Sequence, residues 1–362
     1  MFNMEGSSTK DLLKLCFGYF FFYVITGLTV KFFIGHGAGL PGMNGIEFLV
    51  YSTAGGQFIA LGVVLLFKWY RLQSNRLVSF LGMKVPIELF YIIPSGICTA
   101  VVIPTTTLMY SLPISVMVAM VMMRGSVIII SRLVDALQVR QGILHKKVYW
   151  EENVAVLFAI IAVSVHLTKA GSGGFDFLHN TMAMVVFCSY IVAYAIRIYI
   201  MNYFKNTRGK GVKQDNKGYF AFEQFTAAFV ILVTAIIVFN SPKLFGLDMS
   251  NLPDQIFHFR KAFVDPMGIW PWAILAGMAF GAVSFFSVFI FMYKGRTATF
   301  AGLTNRLTSL IAGTTSTLLF WLFFHGKFPS ITDWLSLVFI VIALIFIARA
   351  EKKRVAELAI TA

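Results

Sequence analysis

Charge is what this chain has least of. Only 13% of its 362 residues are Asp, Glu, Lys or Arg, about half the share of an ordinary soluble domain. The acidic side chains are the scarcer kind, 16 against 30 basic ones. A chain so composed cannot clothe a globular surface in charge. With 58% apolar residues and a mean hydropathy of +0.78 it reads as a polytopic membrane protein. Cysteine is sparse too. Cys16, Cys98 and Cys188 all fall inside apolar stretches, which excludes a disulfide framework and metal-ligand spacing and leaves them as small core residues. No asparagine opens a usable Asn-x-Ser/Thr triplet, which argues against a glycosylated secretory-pathway protein. Nucleophile–base pairs, phosphate loops, carboxylate dyads and metal clusters are missing as well, so neither an enzyme nor a cofactor is expected. No cleavable signal peptide is expected: the first residues are polar and the first apolar run is a full span. The net charge of +14 has no arginine-rich extramembrane domain behind it, so nucleic acid is not an expected partner.

Long apolar runs are what the chain has in abundance. They appear near residues 12–33, 46–67, 87–110, 113–133, 153–169, 181–203, 219–240, 269–292, 297–324 and 331–349. Each can cross a hydrocarbon core as a helix. The expected fold is therefore an all-α polytopic membrane protein with ten transmembrane helices. Spans three and four are joined only by the tight turn Ser111-Leu112-Pro113. The segments after spans two, four and six, between spans eight and nine, and at both termini hold 20 of the 30 basic residues. The opposite loops hold six, namely Lys31, Lys169, Lys243, Arg260, Lys261 and Lys327. The bias puts both termini in the cytoplasm. The loop 206–218 is polar and glycine-containing and reads as a flexible linker. In the outer loop 241–268, LPDQIFHFRKAF is either a short amphipathic helix on the membrane surface or an ordinary loop.

Against this background two cations stand out. Arg124 lies inside VMVAMVMMRGSVIII and Arg306 inside TFAGLTNRLTSLIAG, each ~14 Å from the nearer end of its run. A cation at that depth costs at least ~2.5–3.5 kcal/mol unless it faces a polar cavity or a partner. Arg197 and Lys14 are nearer the ends of their spans and are expected to snorkel. Glu223 opens span seven, either as a helix-end carboxylate, as a proton-coupling group or as an ion-pair partner for Arg306. None of the six histidines is at mid-depth, which speaks against a histidine proton relay.

The two halves of the chain overlay at a nearly constant offset. Leu108-Met109-Tyr110 matches Phe291-Met292-Tyr293, Arg124-Gly125-Ser126 matches Arg306-Leu307-Thr308, and Gly96 matches Gly277. Residues 1–170 and 171–362 then form two five-helix repeats. Five is odd, so the second repeat enters the membrane from the other side and the two are inverted about an axis in the membrane plane.

Ten helices, a 5+5 inverted repeat, a tight outer turn between spans three and four, and polar residues midway along spans four and nine resemble the drug/metabolite transporter superfamily. YKGRTATFAGLTNRLTSLIAG followed by DWLSLVFIVIALIFIARAEKK resembles the last two helices of its nucleotide-sugar transporters, with Thr304, Asn305 and Arg306 at the polar and basic positions. Span four differs: it carries Met122-Met123-Arg124-Gly125-Ser126 where those transporters tend to have lysine with a proline nearby. The resemblance implies a cavity lined by spans one to four and six to nine, with spans five and ten peripheral and available for a homodimer.

It also implies alternating access for a small anionic substrate held near the midplane. Arginine suits such a ligand because its planar fork pairs bidentately with phosphate or carboxylate. The expected substrate-binding residues are Arg124, Arg306, Asn305, Thr304, Tyr23, Tyr194 and Thr106. The expected cargo is a nucleotide sugar, a nucleotide or another phosphorylated metabolite. An exporter of amino acids or amphiphilic drugs and a flippase for an anionic lipid headgroup remain open alternatives. The short loops lean towards a bacterial inner membrane, with Golgi or endoplasmic reticulum as the other setting. Topology is tested by cysteine-accessibility labelling: positions 172 and 250 (both serine) should react from outside intact cells, and Asn206 should not. Outside labelling of Asn206 overturns the orientation.

Overall fold

The computed structural model describes residues 8–37, 39–80, 82–111, 116–145, 147–165, 181–209, 211–246, 248, 252–326 and 328–360. Ser172 and Ser250, the boundary near residue 170, the end of span five and Leu112-Pro113 of the tight turn lie outside them. Among the described residues the chain forms α1 (Thr9–Ile34), α2 (Gly45–Leu66), β1 (Leu77–Phe80), β2 (Met83–Pro86), α3 (Leu89–Ser111), α4 (Val116–Arg140), α5 (Trp150–Ser164), α6 (Thr181–Asn206), α7 (Asn216–Phe245), α8 (Asp254–Val264), α9 (Trp270–Phe291), α10 (Ala298–Phe324) and α11 (Ile331–Ile360). Several helix starts are set by short polar side chains. Ser8, Asn44, Asp215 and Thr297 each accept a backbone amide of the first turn that follows.

Eight of these helices are long and apolar enough to cross a bilayer. The protein is a predominantly helical, multi-pass membrane protein. Over their described residues α4 and α5 are not among those eight, and α5 is described over only 15 residues. Large apolar side chains line the outside of the bundle, among them Phe229, Leu232 and Ile236 on α7 and Val338, Val341 and Ile345 on α11. Water would penalise such a surface, whereas lipid does not.

Three local features refine the sequence expectation. The fold fits the expected all-α class with one small addition: β1 and β2 pair antiparallel, Leu77 opposite Pro86 and Phe80 opposite Met83, around Gly82, which turns at φ 79° where a side chain would be strained. Of the two forms open to LPDQIFHFRKAF the helix is the one it takes, as α8 docked on α2: Glu47 receives His258 Nδ1 at 2.9 Å and Lys261 Nζ at 3.6 Å, and the Tyr51 hydroxyl donates to the Ala262 carbonyl. The segment 206–218 is not a free linker. Arg208 pairs with buried Glu88 at 2.9 Å and Asn75 bonds both the Thr207 carbonyl and the Gly209 amide, so it is stitched to the loop after α2.

Helix α2 lies along α9, α1 along α9 and α10, α3 along α6 and α7, α4 along α6 and α10, and α5 pairs with α11. Small residues set how close these approaches are. A Cβ on Gly277 would lie 2.2 Å from the Ser52 carbonyl oxygen, and one on Gly55 1.9 Å from that of Ile274. A Cβ on Gly281 would meet the Gly56 carbonyl at 2.4 Å. The α3–α7 contact repeats the device, with Gly96 against Thr226 and the Glu223 carbonyl.

A layer of buried charge closes one end of the bundle. Asp135 of α4 accepts the Ala298 and Thr299 amides that open α10, at 2.8 and 2.6 Å. Glu152 accepts the Thr297 hydroxyl at 2.8 Å and Arg354 at 3.2 Å. Arg296 pairs with Glu351, which also accepts the Thr9 hydroxyl. Past residue 349, α11 contributes Glu351 and Arg354 to this buried layer while Lys352, Lys353 and Val355 stay exposed.

Gly277→Leu and Gly281→Leu are expected to reduce the yield of folded, monodisperse protein sharply, since backbone meets the new side chain. Gly62→Leu, with nothing within 4 Å of its Cβ, is expected to fold normally. Size-exclusion profiles of the three variants check this. A well-folded Gly277→Leu with a selective loss of ligand affinity would instead put the glycine in a binding site.

Candidate functional site

The deepest unsatisfied charge in the bundle is on α10. Ala301, Gly302, Asn305, Ser309, Ala312 and Ser316 are buried along α10. Arg306, only 7% exposed, is buried with them. Its guanidinium sits over the Tyr194 ring, 5.1 Å from the centroid, a cation–π geometry. Tyr194, Tyr190, Tyr19 and Tyr23 are the groups that act electrostatically on it. They come as two pairs spaced i,i+4, one on α1 and one on α6, so each pair shares a helix face. Tyr19 and Tyr23 lie 5.5 Å apart between ring centroids, and Tyr190 and Tyr194 4.8 Å. Among the described residues Nε and Nη2 of Arg306 have no hydrogen-bond partner.

Arg124 of α4 is also buried, at 8% exposure, and its guanidinium lies beside Gly313 of α10. Both arginines therefore border α10, Arg306 on it and Arg124 packed against it from α4. Neither arginine has a carboxylate within ion-pair distance among the described residues.

The other expected residues divide. Tyr23 and Tyr194 belong to the cluster. Asn305 supports it from behind: its Oδ1 accepts the Tyr19 hydroxyl at 3.3 Å and its Nδ2 donates to Ser287 Oγ at 3.0 Å. The Thr304 hydroxyl is buried without a partner. Thr106 is not drawn in by any described contact, because its hydroxyl closes back on the Val102 carbonyl of its own helix at 2.7 Å. Of the methionines beside Arg124, Met123 is buried core, and the side chains of Met117 and Met120 lie outside the described residues.

Glu223 is an ion-pair carboxylate, but its partner is Arg197 rather than Arg306. Arg197 donates from Nε to Oε1 at 2.9 Å and from Nη2 to Oε2 at 3.0 Å. Ser95 and Thr99 of α3 add hydroxyl donors to Oε1 at 2.8 and 3.1 Å, and Tyr219 donates to Ser95 at 2.7 Å. Arg197 therefore does not snorkel: it is 4% exposed and Glu223 fully buried. This network joins α3, α6 and α7. Sequence reasoning missed Ser95, Thr99 and Tyr219 as a unit, although both Ser95/Thr99 and Tyr219/Glu223 are spaced i,i+4. Among the described residues no three His, Cys, Asp or Glu side chains converge as metal ligands would.

No family model and no curated protein matches the chain. Solved structures do. One, described only as "Crystal structure of protein", superposes with a TM-score of 0.57 at 16% identity, covering 96% of this chain and 99% of that one. The likeness extends over both chains almost end to end, so the fold is shared as a whole.

Glu223→Gln leaves Arg197 buried without a full counter-charge, and breaking a buried pair costs about 3–5 kcal/mol. A marked fall in apparent Tm is expected. The double variant Arg197→Met/Glu223→Leu, which removes both charges, should recover most of it. An unchanged Tm in Glu223→Gln would show the pair to be dispensable.

Proposed function

We propose that this protein is a secondary transporter that carries a small organic anion across the membrane by alternating access, with Arg124 and Arg306 holding the anionic group. The observation that carries this reading is Arg306: a cation 7% exposed, set over the Tyr194 ring, with two of its nitrogens unpartnered among the described residues. A buried guanidinium without a carboxylate is costly, and a phosphate or carboxylate ligand would complete it in bidentate fashion. Tyrosine faces around it suit a sugar or base attached to that anion. A nucleotide sugar, a nucleotide or another phosphorylated metabolite is the class of cargo proposed.

In this reading ten helices span the membrane, α1 to α7 and α9 to α11, and α1–α5 are related to α6, α7 and α9–α11 as inverted repeats. The packing supports it. Exchanging the repeats turns the α1–α9 contact into α6–α3, α1–α10 into α6–α4 and α2–α9 into α7–α3, all of them present. Gly96 on α3 abuts α7 as its counterpart Gly277 on α9 abuts α2. The basic bias of the loops supports cytoplasmic termini.

Thermal-shift measurements against nucleotides, nucleotide sugars, amino acids and lipid phosphates identify the binding class, because stabilisation rises with ligand concentration over Kd. Phosphorylated metabolites should stabilise the protein. Arg124→Ala and Arg306→Ala should each lose about 1.5–3 kcal/mol of binding, roughly ten- to hundred-fold in Kd. Lysine at either position should restore part of it, returning the charge without the fork. Normal binding and transport of the identified anion by the folded alanine variants would make both arginines structural. Stabilisation by amino acids or lipid phosphates alone would favour an exporter or a flippase on the same scaffold.

A further inference from the structure

A second basic site lies at the end of the bundle where α1 begins, apart from the arginine–tyrosine cluster. There the turn after α2 and the segment before α7 enclose a cavity of about 350 Å³ whose wall includes Lys68, Trp69, Arg71, Lys213, Asp215 and Lys217. That volume is at the lower end of the range for small-molecule sites, about 300–1,000 Å³.

The charge balance of this cavity is one-sided. Its carboxylate, Asp215, is already engaged: Oδ2 accepts the Gln73 amide at 3.0 Å and Oδ1 the Gly218 amide at 2.8 Å. Lys68, Arg71, Lys213 and Lys217 have no carboxylate within ion-pair distance among the described residues. Lys68, Arg71 and Lys213 are exposed and Lys217 half-buried, so the recess presents a positive, solvent-screened field that an anion entering it would meet on several sides.

The wall is also pre-organised. Arg208, held by Glu88, donates to the Gln73 carbonyl at 2.5 Å, and Asn75 bridges the two segments. Trp69 stacks on Phe285 of α9, 5.6 Å between ring centroids. Lys68, at φ 55°, is the left-handed residue that ends α2, fixed by the Trp69 amide donating back to the Val64 carbonyl at 3.0 Å. Directly beside the recess Leu65, Leu66 and Phe67 are 56%, 80% and 63% exposed. Those apolar side chains place the mouth at the level where acyl chains give way to headgroups, and tryptophan is at home there.

We propose that this recess binds a phosphate-bearing anion, taken either from the headgroup of an anionic phospholipid in the adjoining leaflet or from a soluble phosphorylated compound. Basic pockets at helix ends recognise phosphate by charge and hydrogen bonding alike. The site does not depend on whether Arg124 and Arg306 bind a substrate.

The test uses the full chain purified in neutral detergent, with water-soluble dihexanoyl phosphatidic acid, dihexanoyl phosphatidylcholine and inorganic phosphate as probes. Phosphatidic acid should raise Tm by about 2–8 °C at saturation, and phosphatidylcholine should not. A matching rise with inorganic phosphate makes the site one for phosphate as such. A rise with phosphatidic acid alone makes it a lipid site. Lys68→Gln/Arg71→Gln/Lys213→Gln/Lys217→Gln should lose most of the shift. Lys84→Gln/Arg140→Gln/Lys294→Gln/Lys352→Gln, which removes as many exposed charges elsewhere, should keep it. Should the first quadruple variant fold poorly, Arg71→Gln and Lys213→Gln singly should each weaken phosphatidic acid binding several-fold. A shift that survives in Arg306→Ala belongs to the recess and not to the central cluster. The proposal is overturned if neither phosphate probe stabilises the protein, if the control variant loses as much as the cavity variant, or if both single variants bind unchanged.

Discussion

An ion withdrawn from water must find its counter-charge inside the protein, and this bundle is organised around that constraint. Arg197 meets Glu223, Arg208 meets Glu88, Arg296 meets Glu351 and Arg354 meets Glu152, each pair between segments remote in the chain. Each pair is a cross-link whose breakage strands a charge, and a stranded buried charge is far costlier than the net gain from a satisfied pair. Together they specify which helices are neighbours more sharply than apolar contact could, since lipid competes for apolar surface but not for a buried carboxylate. Arg124 and Arg306 depart from the rule, since neither has a carboxylate within ion-pair distance among the described residues.

Small residues complete the specification. Where α2 meets α9 and where α3 meets α7, glycine lets backbone approach backbone, so those seams are held by close packing rather than by large side chains. Wide apolar surfaces remain turned outward on α7 and α11. The protein therefore sets its ion pairs within a largely apolar, closely fitted interior and turns apolar side chains outward as well.

Much of this was legible in the sequence because membrane helices write a strong one-dimensional signal. Each of the ten apolar runs corresponds to a helix, and Arg306, Tyr23 and Tyr194 are drawn into one cluster. What was not legible depends on azimuth rather than depth. Glu223 could be assigned a carboxylate's roles from its position in span seven, but its pairing with Arg197 requires knowing which faces of α6 and α7 meet. Arg197, near its helix end in sequence, looked able to reach the interface and instead points inward. Thr106 was chosen for its polarity, yet a threonine hydroxyl in a helix can satisfy itself on the preceding turn. The segment 206–218 has the composition of a linker, and only the partners offered by Glu88 and Asn75 make it a fixed part of the structure.

The clasp of Asp135 on the first amides of α10 has a mechanical meaning. It fastens the two arginine-bearing helices together at one end, the last turns of α4 to the first turn of α10. Rods pinned at one end can only open and close like a pair of dividers about the pin. Arg306 lies about 12 Å along α10 from that pin and Arg124 about 16 Å along α4, so the two guanidinium groups ride at unequal radii. A small swing at the pivot would change the spacing between them and also slide one past the other, converting a hinge angle into a change in the shape of the charge they jointly present.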